Sequence, residues 1–131
     1  MNVFVDTSYF LARLSRADQW HRRAKSVWKR EFRPVTSSLV INETVTLLQM
    51  RGHFSLSLDF LRQAKTGAFG LIVYPDAGVQ AEGWSLFVRW GSSGASAVDC
   101  VSFAIMQQMG MKLALTFDGH FAAAGFRTLC G

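Results

Sequence analysis

The sequence contains little cysteine and no cysteine-rich motif. Cys100 and Cys130 are the only two cysteines among 131 residues, and they do not form a CxxC pair. This excludes the disulfide framework that stabilises many small secreted domains, and no Cys/His cluster has the spacing of a structural zinc site. Cys100 lies in an apolar stretch, so we expect it to be a small buried residue.

The sequence also lacks a long apolar run and a leader-like N-terminal segment. No run approaches the roughly 20 apolar residues that cross a bilayer as a helix. The first ten residues, MNVFVDTSYF, carry no basic residue and include an acid at Asp6, unlike a secretory signal. We therefore expect a cytoplasmic protein that does not associate with membranes.

The apolar content is sufficient for one packed domain. The chain has 131 residues, of which 50% are hydrophobic, and this matches the size and composition of one folded unit. We find no internal repeat, low-complexity tract or linker. We therefore expect a single domain over residues 1–131.

The charge is positive and unevenly distributed. The net charge is +5, which favours an anionic partner such as nucleic acid. Eight of the fourteen Lys and Arg residues lie between Arg13 and Arg33. We call residues 22–30 the basic segment and expect it on the polar side of one helix over residues 19–32. It is either a phosphate-contacting surface, with Arg22, Arg23 and Lys29 as candidate RNA contacts, or a solvated helix face.

Short β-branched runs alternate with longer helical patterns. We predict strands at 2–5, 34–37, 68–74, 112–117 and 126–129, and helices at 7–15, 19–32, 39–51, 57–66, 76–90 and 96–109, with a helical turn at 119–124. Strands separated by helices imply right-handed crossovers. The prediction is therefore a three-layer α/β/α domain with a central parallel sheet of four to five strands. Such sheets bind ligands beyond the carboxyl ends of their strands.

Two of the nine acids follow predicted strands. Asp6 comes directly after residues 2–5, and Asp118 directly after residues 112–117, so both lie at the carboxyl edge of the predicted sheet. Each could also be the N-cap of the helix that follows, which is a common role for aspartate. The two roles can coexist.

Two further acids occupy apolar surroundings. Glu43 falls on the apolar side of the helix at 39–51, where an unpaired carboxylate is costly to bury, unless it lies at the margin and reaches solvent or Arg51. Asp99 is the only charged residue between Gly91 and Met111. Ser96 and Asp99 have the spacing of a capping box, which explains Asp99 without a functional role. It does not explain why four acids occupy inward-facing or sheet-edge positions.

The segments around these four acids resemble the motifs of a known family. Residues 3–8 (VFVDTS), 42–43 (NE), 96–99 (SAVD) and 116–121 (TFDGHF) are similar to the four acidic motifs of the PIN-domain ribonucleases. The length and the order of elements resemble the VapC-like toxin branch of that family. The resemblance covers essentially the whole chain.

The resemblance implies a site and a chemistry. It implies a PIN-like fold in which the four acids converge, hold Mg²⁺ or Mn²⁺ and hydrolyse RNA phosphodiesters. Hard cations prefer such oxygen ligands, and they can activate water and stabilise charge on a phosphate. The expected direct or water-mediated ligands are Asp6, Asp99 and Asp118, and Glu43 is expected to be a ligand or to orient the attacking water. The side chains expected to support these carboxylates are Thr7, Ser8 and Thr116.

The resemblance also implies partners and leaves an alternative. As a toxin, the chain would cleave RNA, form a homodimer and be neutralised by a protein antitoxin. The alternative is a catalytically inactive PIN-fold module that binds RNA or protein, although the intact set of four acids favours the ribonuclease. A phosphoacceptor domain expects paired acids after the first strand, whereas Asp6 stands alone. His120 could be a general acid, but metal chemistry does not require one, so we predict a loop residue there.

Overall fold

The structure is a computed structural model, and it describes residues 1–130. Gly131, which the predicted single domain includes, lies outside the described residues. The strands are β1 (Asn2–Val5), β2 (Arg33–Ser37), β3 (Leu71–Val73), β4 (Leu113–Leu115) and β5 (Arg127–Thr128). The α-helices are α1 (Thr7–Leu14), α2 (His21–Val27), α3 (Ser38–Met50), α4 (Phe54–Lys65), α5 (Ala77–Trp90), α6 (Ala97–Gln108) and α7 (Gly119–Ala123), and a 3₁₀ turn covers Gly91–Ser93.

The five strands form one parallel sheet in the order β3-β2-β1-β4-β5. β1 is the central strand, and Phe4 is in register with Val35 of β2 on one side and Ala114 of β4 on the other. Val3, Phe4 and Val5 are all buried, as expected for a strand covered on both faces. This confirms the predicted α/β fold and its parallel sheet.

The strand order explains the two helical layers. The chain moves from β1 to β3 in one direction, then returns past β1 to β4 and β5. Right-handed crossovers in opposite directions place helices on opposite faces of a sheet, so α1 to α4 cover one face and α5 to α7 the other. On the second face α5 packs closely on α6, since a Cβ at Gly83 would lie 2.5 Å from Cγ2 of Val101.

Several predicted boundaries are wrong. The helix predicted over 19–32 ends at Val27, because Trp28 adopts extended backbone and the chain must turn to enter β2. In that turn the Phe32 amide donates to the Lys29 carbonyl, and the Phe32 ring is buried. β4 ends at Leu115, so Asp118 lies three residues beyond the strand. Every helix in residues 1–130 is too short or too polar to span a bilayer.

Candidate active site

Asp6 is the most constrained acid of the site. It follows β1, is buried and caps α1, and its Oδ2 accepts hydrogen bonds from the Ser8 amide at 3.4 Å and the Ser8 hydroxyl at 2.9 Å. The Thr116 hydroxyl donates to the same oxygen at 2.9 Å. Burial raises the pKa of Asp6, although these hydrogen bonds oppose the shift. The helix cap and a place at the carboxyl edge of the sheet therefore coexist in Asp6.

The same network fixes the loop that carries Asp118. The Phe117 amide donates to the Ser8 hydroxyl at 3.0 Å, and the Asp118 amide donates to the Thr116 hydroxyl at 2.9 Å. These bonds join the carboxyl ends of β1 and β4. The structure thus places Ser8 and Thr116 where the sequence predicted them, between the first and last acids.

Asp118 is half-buried at the start of α7. Its Oδ1 accepts a hydrogen bond from the His120 amide at 2.8 Å, so Asp118 is also an N-cap. The His120 ring turns back toward the acids, with Nδ1 2.5 Å from Asp118 Oδ1 and 3.9 Å from Asp99 Oδ2. Its Nε2 lies 3.1 Å from the Ser93 carbonyl oxygen. His120 therefore bridges the 3₁₀ turn and two acids.

Gly94 follows that 3₁₀ turn and passes close to the imidazole. It has a φ of 102°, which favours glycine, and a Cβ there would lie 3.0 Å from His120 Nε2. His120 lies in the first turn of α7, within the helical turn predicted over 119–124, and so is not the loop residue that was also predicted there. Its position two residues after a capping aspartate was the signal that could have placed it beside that carboxylate.

Asp99 is a helix cap, which is one of the two roles that the sequence left open. It is buried in the first turn of α6 and forms a complete capping box, in which the Ser96 amide donates to Asp99 Oδ2 at 2.9 Å and the Asp99 amide donates to the Ser96 hydroxyl at 3.0 Å. Burial raises the pKa of Asp99 to about 6, and the nearby charges of Asp6 and Asp118 add to the shift. The capping box occupies Oδ2 and leaves Oδ1 to face other partners.

Glu43 lies at the margin of α3. The buried side of this helix consists of Val40, Ile41, Thr44 and Leu48, and Glu43 is half-buried beside it. Of the two positions that the sequence left open for Glu43, the structure has the one at the margin of the apolar face, where the neighbouring Met50 side chain is 75% exposed. Glu43 forms no ion pair with any basic residue of the described chain, Arg51 included.

Thr7 adds an unsatisfied polar group. Its side chain is buried, and its Oγ1 has no hydrogen-bond partner among residues 1–130. It lines the same cleft as the acids but donates to none of their carboxylates. A buried hydroxyl usually has a partner, so this atom is an exception, and Thr7 does not support the carboxylates by a hydrogen bond as the sequence predicted.

The side chains line one open cleft of about 300 Å³ at the carboxyl edge of the sheet, which we call the acid cleft. Its lining residues are Asp6, Thr7, Ser8, Leu11, Glu43, Leu47, Gly94, Ser96, Asp99 and Asp118. All four predicted acids therefore share a single cavity, although they come from four separate parts of the chain.

The donor atoms fit a divalent cation. One oxygen of Asp99, one of Asp118 and one nitrogen of His120 lie within 4.8 Å of one another. Oxygen ligands on opposite sides of Mg²⁺ lie about 4.2 Å apart, so small shifts bring this group to a shared ion. Asp6 and Glu43 lie outside the group of three but line the same cleft. A carboxylate-rich site with one imidazole suits Mg²⁺ or Mn²⁺.

The structure does not bring the basic segment to the acids. Arg22 and Arg23 are exposed on α2, Lys29 is exposed beyond its end, and none of the three lines the acid cleft. Arg23 Nη2 donates weakly to the Leu129 carbonyl at 3.4 Å, which places it toward β5. Because α2 ends early, the three side chains do not share one helix face as predicted.

Comparisons with known proteins agree with this geometry. The model of the PIN domain family matches residues 3–127. The chain is 36% identical over 126 residues to the 23S rRNA-specific endonuclease VapC20 of Mycobacterium tuberculosis strains CDC 1551 / Oshkosh and ATCC 25618 / H37Rv, covering 95% of both chains.

Two solved structures resemble the fold. The crystal structure of Mycobacterium tuberculosis VapC20, described as a sarcin–ricin loop cleaving toxin, superposes with a TM-score of 0.87 at 32% identity over 95% of each chain. VapBC-1 from nontypeable Haemophilus influenzae has a TM-score of 0.64 at 11% identity, covering 98% of this chain and 96% of that one, a likeness of fold alone.

Proposed function

Because the chain belongs to the PIN-domain family, we propose that it is an endoribonuclease that uses Mg²⁺ or Mn²⁺ to hydrolyse RNA phosphodiesters. The observation that carries the proposal is the convergence of Asp6, Glu43, Asp99 and Asp118 on one cleft at the carboxyl edge of the sheet. A divalent cation bound there would supply an activated water and stabilise charge on the scissile phosphate.

The chain's own residues have distinct roles in this proposal. Asp6, Asp99 and Asp118 would hold the cation, and Ser8 and Thr116 keep Asp6 in place through hydrogen bonds to Oδ2. Glu43 lies at the solvated margin of the cleft, where it can accept a proton from, and orient, the attacking water.

The similarity to VapC20 supports a narrower target. VapC20 is named for its action on 23S rRNA and described as cleaving the sarcin–ricin loop, and the present chain matches it across nearly its whole length. We therefore assign ribosomal RNA, and a structured loop within it, as the substrate class.

The proposal also covers the cellular location and the protein partners. A nuclease that cleaves ribosomal RNA stops growth, so a single-domain toxin in the cytoplasm needs a neutralising protein antitoxin. A homodimer is also part of the proposal. Trp84, Phe87 and Val88 share one side of α5 and are exposed, and contiguous exposed apolar groups favour a protein contact.

A cleavage assay tests the proposed function. Purified protein is incubated with a synthetic sarcin–ricin loop hairpin and, in parallel, with a hairpin of shuffled sequence. We expect site-specific cleavage of the first RNA with Mg²⁺ or Mn²⁺ and none after EDTA treatment. Cleavage that persists in EDTA would rule out the metal mechanism. Binding without cleavage under every metal condition would support the inactive RNA-binding module instead.

A further inference from the structure

Trp20 is an exposed aromatic residue that packs on the residue preceding Asp118. It lies in the connection between α1 and α2 and is 46% exposed. Its ring stacks on Phe117, with centroids 5.4 Å apart and an interplanar angle of 14°. Much of the indole is therefore open to solvent, more than a ring covered on both faces would retain.

The supporting ring belongs to the network that builds the site. Phe117 stands between Thr116 and Asp118, and its amide donates to the same Ser8 hydroxyl that holds Asp6. The Trp20–Phe117 pair is therefore attached to the rim of the acid cleft through a short chain of hydrogen bonds.

The backbone at Trp20 is fixed as well. The Trp20 amide donates to Asp18 Oδ1 at 2.8 Å, and its carbonyl accepts from the Ala24 amide at 2.8 Å. The next residue is also tethered, since His21 Nδ1 lies 2.8 Å from the Ala12 carbonyl oxygen. An indole on such a backbone loses little entropy when a flat group stacks on it.

The other exposed tryptophans differ. Trp28 is 39% exposed, and its ring meets Phe32 edge-on at 88°. Trp84 is exposed on α5, with no ring stacked on it among the described residues. Arg22 and Arg23, two exposed cations of the basic segment, follow Trp20 in the sequence after His21. The indole is thus close in sequence to phosphate-attracting charge, and it contacts the residue that precedes Asp118.

We propose that Trp20, supported by Phe117, is a stacking platform for an unpaired RNA base adjacent to the scissile phosphate. This inference rests on the proposed ribonuclease function and deepens it. Proteins recognise single-stranded and looped RNA chiefly by stacking splayed bases on aromatic rings. The platform selects RNA in which a base next to the cut is free of pairing, so a continuous duplex is a poor substrate.

The test compares Trp20→Leu with Trp28→Leu, a matched control that also removes a partly exposed indole beside a phenylalanine. Affinity for a fluorescein-labelled sarcin–ricin loop hairpin is measured by anisotropy in EDTA, so that no cleavage occurs. We expect Trp20→Leu to weaken binding roughly 5- to 150-fold, the usual range for one base stack. Trp20→Phe should retain most of the affinity, and Trp28→Leu should bind as wild type does.

An abasic scan separates stacking from a general structural role. Affinity is measured for a set of hairpins that each lack one base. Wild type should bind more weakly when the stacked base is the missing one, whereas the affinity of Trp20→Leu should be the same with and without that base. Equal losses in Trp20→Leu and Trp28→Leu, or a Trp20→Leu loss that is the same for every abasic hairpin, would overturn the platform. If wild-type protein binds the hairpin but never cleaves it, the proposed ribonuclease function is wrong. The stacking role of Trp20 can still be tested in that case, because it is measured by binding affinity alone.

Discussion

The acid cleft collects side chains from four separate parts of the chain, whereas the basic segment is one continuous stretch. In the cleft, Asp6 and Asp99 are buried and hydrogen-bonded, and Thr116 reaches Asp6 across 110 positions of sequence. In the basic segment, the side chains of Arg22 and Lys29 are exposed and make no hydrogen bond within residues 1–130.

The difference reflects what each region has to do. Bond cleavage requires ligand atoms held within fractions of an ångström, which only a buried and satisfied network provides. Attraction of a phosphate backbone requires charge near the surface, and flexible side chains supply it. Substitutions in the acid cleft should therefore act on the reaction, and those in the basic segment on binding and its salt dependence.

The largest expected effect is that of Asp6→Asn. Loss of a carboxylate ligand should lower the rate of hairpin cleavage at least about 100-fold, because the metal supplies several kcal/mol to the transition state. Asp76→Asn is the matched control, since Asp76 also caps a helix through its side chain but lies outside the acid cleft. Equal cleavage rates for Asp6→Asn and Asp76→Asn in a single-turnover assay would show that Asp6 acts only as a helix cap.

Thr116→Val should have the next largest effect. It removes the hydroxyl that donates to Asp6 and accepts from the Asp118 amide, and loss of such support costs roughly 10- to 100-fold in metal affinity or activity. Thr36→Val is the control, because Thr36 is equally buried but donates to the Val5 carbonyl. Mn²⁺ titration calorimetry separates the two. If both variants bind Mn²⁺ alike, Thr116 serves stability only.

A smaller effect is expected from the basic segment. Replacing Arg22, Arg23 and Lys29 together with Gln should reduce the salt dependence of RNA binding by up to about 2 in log–log slope, from roughly 0.7 per phosphate contact on a single strand. The same change at three exposed cations outside the basic segment, Arg51, Arg62 and Lys65, controls for net charge. The measurement is hairpin affinity against salt concentration, and an unchanged slope would identify the basic segment as a solvated face.

The smallest effect concerns stability and pH. The pKa of Asp99 in the folded state, about 6, lies above the unfolded value near 3.9, so the folded state retains a proton that the unfolded state releases between those pH values. The free energy of unfolding of the metal-free protein should therefore fall by on the order of 1–2 kcal/mol as the pH rises from 4 to 6. It should stay low above pH 6.

Asp99→Asn tests that assignment. An asparagine oxygen can still accept from the Ser96 amide, so the capping box survives while the charge is lost. Melts in EDTA at pH 7 should show a Tm equal to or a few degrees above that of wild type, without the Asp99 contribution to pH dependence. Mn²⁺ should raise the Tm of wild type more than that of the variant. A variant that is simply less stable at every pH, with the wild-type response to Mn²⁺, would leave Asp99 as a cap alone.

Much of the fold could be predicted because it depends on local patterns. Alternating strands and helices, together with the handedness of crossovers, lead to a parallel sheet with its ligand site at the carboxyl edge. Boundaries set by tertiary needs could not be predicted in this way. α2 ends at Val27 because Phe32 enters the core and β2 must begin at Arg33, which no helical periodicity reveals.

The candidate site could be predicted in its residue types but not in its arrangement. Asp6 and Asp118 were identifiable by their positions after strands, and Asp99 by its isolation in an apolar helix. The orientation of His120 also depends on contacts with Ser93 and Asp99, which are distant in sequence, and these arise only when α6 and α7 pack together. The stacking of Trp20 on Phe117 likewise joins segments that have no local relation.

The pairing of β1 with β4 has a consequence for the order of events during synthesis. Phe4 of β1 pairs with Ala114 of β4. β1 is synthesised first, but it cannot pair on this side until β4, the second-last strand of the chain, has been made. At about 5–20 residues per second, Asp6 and Asp118 leave the peptidyl-transferase centre roughly 6 to 22 s apart. A nascent chain therefore lacks an assembled acid cleft for most of its translation, and the ribosome that makes it is exposed to a finished enzyme only after the chain is nearly complete.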